Sequence, residues 1–421
     1  MRTRKVMVTG AALSAVLLAS ACGGDDGGDA NTGASEPGEL EGSVTMWTYP
    51  VMADETEHRS FWDDTIAAFG EEYPGVDVTV EIFPWADRDQ ALTTAIAGNS
   101  APDVVYFIPD QLPGYARNIE PIDPYLDDDA KADYLPNAVE AVTIDGQMVS
   151  APILASAVTL TCNKEVFDAV GETEYPQTWD DLREMAPAFK DAGYYMIAYS
   201  GDVSQTLNLT FYPLLWQAGG DVFNEDGTDV TFNSDAGVEA LTLLQEMVEG
   251  EYVAEDMLTA MPPTEQTQLA QGNVACAWHT EGKNLVEFWG EENTVILPPL
   301  TNVEQVAYGT VGSLAMLSSA DDKDAAGAWI AFVTDAEQVA TYNEASGFLP
   351  VKESIGSLYD GDPILGEAEK YTDLTTVGPL HEDAREIMGV LAPEIQAVLI
   401  GQKEPRQALD DAAQAAQSVL R

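Results

Sequence analysis

Basic residues are scarce in this chain. Lys and Arg number 18 against 72 Asp and Glu, a net charge of −54, and a protein without a basic surface cannot hold a phosphate backbone, which excludes nucleic acid as a partner. Histidine is scarcer still: His58, His279 and His381 stand far apart and away from any cysteine pair. Gly-x-Ser-x-Gly, His-Glu-x-x-His, phosphate-loop and Gly-x-Gly-x-x-Gly spacings are all absent, so no frame for serine-hydrolase, zinc or nucleotide chemistry exists, and neither cofactor nor metal is expected. Acidic pairs such as Asp63-Asp64 and Asp180-Asp181 are plentiful, but among 72 carboxylates such neighbours do not single out a glycosidase pair. Beyond the first 22 residues no run approaches the roughly 20 apolar residues of a spanning helix. The acidity is read as a solvated surface, with attraction of cationic ligands as the alternative.

What is present is enough apolar material, 45% of 421 residues, for two or three cores of the usual size of roughly 100–200 residues. Residues 1–21 read as a signal peptide: Arg2, Arg4 and Lys5, a short apolar run from Val6 to Leu18, then Ala19-Ser20-Ala21 before Cys22. This ending resembles bacterial lipoprotein signals, in which the cysteine is lipidated, although the usual Leu stands one place early, at Leu18. The Gly-, Asp- and Ser-rich stretch 22–42 cannot build a core and is expected to be a flexible tether.

From Ser43 the pattern alternates. A strand at Val44–Trp47, a helix from Glu55 stopped by Pro74-Gly75, a period-two strand at Val76–Ile82, a helix from Asp87 to Ala97 and a buried strand at Val104–Phe107 predict a mostly parallel sheet flanked by helices. Ligands of such sheets sit beyond the carboxyl ends of the strands, which points to Trp47-Thr48-Tyr49 and to Phe107 through Gln111. Ile144 to Lys164 carries a tight turn at Asp145-Gly146, a proline at Pro152 and a second extended run, and reads as a hinge between lobes. A second such unit follows: a helix capped by Thr178, a strand at Tyr194–Tyr199, a helix at Leu207–Ala218, a hairpin about Asp226-Gly227, a helix capped by Ser234 and a strand at Val274–Trp278. Asn293–Leu300 and Ala307–Leu317 read as a return crossing. Two helices follow, and after Gly347-Phe348-Leu349-Pro350 the remainder is expected to be helical.

The order of Phe69-Gly-Glu-Glu-Tyr-Pro-Gly-Val-Asp-Val, Ala95-Ile-Ala-Gly-Asn-Ser-Ala-Pro-Asp-Val-Val, Leu160-Thr-Cys-Asn-Lys-Glu-Val-Phe, Pro176-Gln-Thr-Trp-Asp-Asp-Leu, Gln271-Gly-Asn-Val-Ala-Cys-Ala-Trp, Gly347-Phe-Leu-Pro and Gly401–Ala412 resembles the extracellular solute-binding proteins of bacterial ABC importers, in the sugar-binding group. The resemblance implies a two-lobed, type II periplasmic-binding-protein-like α/β fold. Lobe 1 would comprise 43–152 and 300–346, lobe 2 would comprise 153–299 and 347–421, and a monomer would close on a small carbohydrate and pass it to permease subunits. It also implies ligand contacts from Phe107, Asp110 and Gln111, from Trp278 and His279 of the second lobe, and from Tyr308 and Ser313 beside the return crossing, with Trp47 and Tyr49 at the cleft edge. Sugars are held by aromatic faces together with amides and carboxylates. Trp47, Phe107 and Trp278 remain open to a second reading as core aromatics, and Trp62 and Trp216 are assigned to the core. Lys283 follows Gly282 where the family often has an aromatic residue. Cys162 and Cys276 replace the family's usual Tyr and Met, and in an oxidising compartment a disulfide and two buried thiols are both open. The rival functions are a cationic solute, such as a polyamine or basic peptide, on the same fold, and a surface glycoside-processing enzyme.

Overall fold

The computed structural model describes residues 40–52, 54–85 and 88–420. The expected signal peptide, Cys22 and most of the tether lie outside the described residues. The tether ends earlier than residue 42: Leu40 is buried, and β1 (Glu41–Thr48) already pairs with the next strand from Glu41. Gly42 fits there because a side chain would meet Ala325 and Asp322 of a covering helix at 3.1 Å.

Val44, Met46 and Thr48 of β1 point inward. Helix α1 (Glu55–Glu72) starts on Asp54, whose carboxylate accepts from the N–H groups of Thr56 and Glu57. Next come β2 (Gly75–Ile82), α2 (Arg88–Ala97), the fully buried β3 (Val104–Phe107) and β4 (Ile119–Glu120). The hairpin β5 (Thr143–Ile144) and β6 (Gln147–Met148) turns through Asp145 and Gly146 at φ 52° and 76°, the left-handed pair that Asp-Gly supplies. Strand β7 (Ala151–Ala155) leads into the first crossing. The second lobe holds β8 (Leu160–Asn163), α3 (Trp179–Asp191), β9 (Tyr195–Ile197), α4 (Tyr212–Gln217), α5 (Asp235–Glu249), β10 (Val274–Ala277) and β11 (Thr294–Leu297). The chain returns through β12 (Ala307–Tyr308) to β13 (Val311–Leu317), α6 (Lys323–Val333) and α7 (Ala336–Ser346). It then crosses again past β14 (Thr375–Thr376) to α8 (Ala384–Leu399) and α9 (Pro405–Ala416). Among the described residues no helix is long and apolar enough to cross a membrane.

The first sheet has the order β2-β1-β3-β13-β4, with β7 on β13, and the second the order β11-β8-β10-β9. Both are mixed rather than mostly parallel. Only β1–β2, β1–β3 and β10–β9 run parallel in them, because β13 and β8 enter from the hinge and therefore run against their neighbours. Beside Pro152, which cannot donate to the ladder, β7 slips its register against β13 between Gly312 and Ser313. Two large cores result among the described residues, one around Trp62, Phe69 and Trp329, the other around Trp179, Phe189 and Phe211, with a smaller third cluster in the second lobe around Leu269, Leu285 and Trp289.

The three crossings bond to one another. Ala155 exchanges two backbone hydrogen bonds with Leu349, and Ser156 and Val158 donate to the carbonyls of Thr310 and Tyr308. That pairing shifts the expected third boundary: Leu349 and Val351 are buried in the first core, so residues just after 347 belong with lobe 1. Residues between Val351 and Ala384 are mostly irregular, with one short helix at Leu365–Glu369, because Pro363 and several glycines interrupt them. The expected helix at Leu207 begins only at Tyr212, with Pro213 in its first turn, where a missing N–H is harmless.

Cys162 and Cys276 are joined by a disulfide. They are directly opposed residues of β8 and β10, with Cα atoms 4.1 Å apart.

Candidate functional site

The carboxyl ends of β1, β2 and β3 bring one group of side chains to the space between the lobes. Tyr49 follows β1 and stacks on Trp85, which follows β2, with ring centroids 4.9 Å apart. The Trp85 indole donates to the Pro50 carbonyl at 2.8 Å, and the Arg88 guanidinium lies over its ring at 4.8 Å. Tyr106 of β3 meets both Tyr49 and Trp85 edge-on. Asp89 opens α2 and Asp110 follows β3. Facing them from the second lobe, Arg385 in the first turn of α8 donates to Asp89 at 3.0 Å and to Asp110 at 3.1 Å. Gln111 donates to the other Asp89 oxygen at 2.6 Å and so fixes that carboxylate.

The electrostatics show that these groups share one site. Burial, opposed by Arg88, pushes the Tyr49 phenol up to about 12. Burial also raises Tyr106, Tyr212 and Tyr308; Arg88 is felt at Tyr106 and Tyr308, and Asp110 at Tyr212 and Tyr308. All four phenols are therefore neutral hydroxyls. Burial and then the like charge of Arg385 pull Arg88 down. Burial works against the Arg385 charge too, but Asp110 and Asp89 outweigh it and hold Arg385 above its ordinary value.

Among the described residues two buried polar atoms of this group lack a hydrogen-bond partner, the Tyr212 hydroxyl and Arg385 Nε, and so do both amide atoms of Asn208 in the second lobe. A buried polar group without a partner costs roughly 1–3 kcal/mol. Asn208 abuts the third crossing, where a side chain on Gly378 would come within 2.4 Å of its oxygen. Aromatic faces, neutral hydroxyls, an amide and paired charges suit the binding of a hydroxyl-rich solute; the group contains no nucleophile beside a base. Among the described residues no cluster of His, Cys, Asp or Glu could hold a metal.

The model of bacterial extracellular solute-binding proteins matches residues 53–340. The chain belongs to this family. A binding protein of Brucella abortus is 24% identical over 383 residues, 86% of this chain and 90% of that one. The maltotriose-binding protein of Pyrococcus abyssi is 29% identical over 170 residues, 38% of this chain and 35% of that one. The GacH receptor of Streptomyces glaucescens, solved unliganded and with acarbose, superposes with a TM-score of 0.76 at 22% identity, covering 91% of this chain and 99% of the other. As a solute-binding protein, the chain holds its solute and does not transform it.

Of the residues expected to touch solute, Tyr49, Asp110 and Tyr308 come together at this site, with Gln111 directly behind Asp89. Trp47 does not join them, because it packs on Phe83 at 4.2 Å. Phe107 is fully buried against Tyr115. Ser313 is buried in the sheet, bonded to Ser150 and to the Phe107 carbonyl. Trp278 is buried with its indole on the Thr210 carbonyl. His279 lies in a second-lobe pocket with Ser200, Gln205 and Asn284, where burial lowers it to about 4 and leaves its Nδ1 without a partner. Lys283, at the position where the family often has an aromatic residue, donates to the Gly347 carbonyl at 2.7 Å and lies over the Phe348 ring. Trp85, Arg88, Asp89, Tyr106, Asn208, Tyr212 and Arg385 were not anticipated. The strand-end rule applied to β2 reaches the first three, and an arginine in so acidic a chain is itself a signal.

Proposed function

We propose that this solute-binding protein captures a small carbohydrate, a mono- or oligosaccharide, between its lobes and delivers it to the permease of an ABC importer, held at the outer face of the membrane by a lipid on Cys22. The observation that carries the reading is the set of aromatic faces and unpartnered polar groups contributed by both lobes, which a polyhydroxylated ring would complete. The maltotriose named for one relative and the acarbose bound by a structural neighbour support the same class. Contact with both lobes at once favours the closed arrangement, a shift in population rather than catalysis.

A thermal-shift and calorimetric panel of mono- and oligosaccharides, with polyamines as controls, tests the solute. Binding to the folded state raises the melting temperature by mass action, so stabilisation by a sugar without product formation is the expected result, and stabilisation by polyamines alone would overturn it. Membrane fractionation of Cys22→Ser tests the anchor: the variant is expected in the medium, and retention at the membrane would refute the lipid.

A further inference from the structure

We infer that Arg385 is an internal counter-ion that latches the lobes together and excludes cationic solutes from the cleft. This rests on the reading of the interlobe space as the solute site, and it gives that site a charge specificity.

Arg385 belongs to the second lobe, since its neighbours Ala384, Ile387 and Met388 are buried in the second core. Asp89 and Asp110 belong to the first. The Asp110 side chain is only 4% exposed, and among the described residues Arg385 is its hydrogen-bond partner. One guanidinium thus spans two carboxylates of the opposite lobe at 3.0 and 3.1 Å, the charge-assisted, forked geometry that makes arginine pairs strong. Because α8 is fixed in one core and the two carboxylates in the other, the bridge exists when the lobes are shut and breaks when they part.

Two consequences follow. The latch favours closure before any solute arrives. It also fills the place that a solute cation would take, since Arg88 and Arg385 offset the charges of Asp89 and Asp110 inside a chain of net charge −54. A neutral solute is matched by this balance, whereas a cation gains a carboxylate only by displacing Arg385.

The test needs no sugar, so its outcome is independent of which sugar binds. The full chain with Cys22→Ser, and with Asp128→Cys and Glu174→Cys at exposed positions of the two lobes, carries a fluorophore pair that reports lobe separation. In Arg385→Gln the ligand-free closed-to-open ratio should fall about tenfold, intermediate between exposed and buried pairs. Asp110→Asn should act alike, the double variant should add little, and Arg385→Lys should recover part of the closure. Spermidine should stabilise Arg385→Gln against heat and leave the parent protein unchanged. An unaltered lobe separation in both Arg385→Gln and Asp110→Asn, or equal stabilisation of parent and variant by spermidine, would overturn the inference. Asp110→Asn serves as the readout if Arg385→Gln does not fold.

Discussion

Replacing both Cys162 and Cys276 by alanine should loosen the second lobe and leave the first largely intact. The disulfide closes a loop with a sequence separation of 114. In the chain-entropy account a loop of that length restricts the unfolded ensemble by about 4.8 kcal/mol, a ceiling from which native packing and residual structure subtract, leaving roughly 2–4 kcal/mol. Both cysteines are fully buried in the second core, whose buried residues are distinct from those of the first. Native-state hydrogen exchange resolves the two sheets. Amides of β8, β10 and β11 should lose protection by about 30- to 1,000-fold, with those of β1, β2 and β3 changing by less than about tenfold, the converted equivalents of that energy. Reduced parent protein should match the alanine variant. Equal loss in both sheets, or protection in β8 and β10 unchanged, would refute the assignment of the bond to one independently cored lobe.

Gly312→Ala should disturb the site from behind, because the new methyl would lie 2.0 Å from the Tyr106 hydroxyl. Overpacking of this kind costs about 1–3 kcal/mol, and melting curves with calorimetry on the identified sugar should show reduced stability and weaker binding together. Trp85→Ala removes a ring that is 36% exposed, so affinity should fall about tenfold to hundredfold while the melting temperature hardly moves; a large stability loss with full affinity would place Trp85 in the core instead. His58 is lowered from 6.5 to about 4, chiefly by burial, and as a neutral ring accepts the Trp62 indole N–H at 3.0 Å. The unfolded chain takes up that proton first, so stability present at pH 7 is lost as pH falls from about 6.5 towards 4, about 2 kcal/mol of it by pH 5. Urea midpoints of parent and His58→Gln should therefore converge on acidification, and parallel curves would exclude the histidine.

The elements nearest to ideal patterning were legible in the sequence. β2 alternates strictly, α1 begins on a capping Asp and ends before Pro74-Gly75, and Asp145-Gly146 could hardly be anything but a tight turn. The mixed direction of the sheets was not legible, because strand direction depends on which end of a lobe the chain enters after a crossing. The strand-end rule gave the end of the strand but not the residue that clears the sheet: Tyr49 lies past Thr48, the last residue of β1, and reaches Trp85, whereas Trp47 is still within the strand and packs on Phe83. Arg385 lies 275 residues from Asp110, and no local pattern joins them. Helix α8 brings the arginine across only because its own apolar face is buried in the other core. The bond between Cys162 and Cys276 was hidden likewise, since the adjacency of β8 and β10 is a property of the sheet rather than of either strand.

The charge of the whole chain and the charge of its site lead to opposite expectations about the solute, and association kinetics separate them. A net charge of −54 produces a field that concentrates cations at the surface and accelerates their encounter, an effect that collapses with salt as the Debye length shrinks from about 10 Å at 0.1 M to about 3 Å at 1 M. Removing Arg88, Arg385, Asp89 and Asp110 from the count leaves that net charge where it was, so the field is a property of the surface and the cleft adds nothing to it. A neutral sugar is not steered by such a field. The association rate of the solute that stabilises the protein in the ligand panel, followed by stopped-flow fluorescence of the site tryptophan, should therefore change by less than about twofold across that range of salt, with any loss of affinity appearing in dissociation as the Arg385 latch weakens. A fall in the association rate of about tenfold or more would mean that the acidic surface is guiding a cation, and that the neutral pairing in the cleft has been misread.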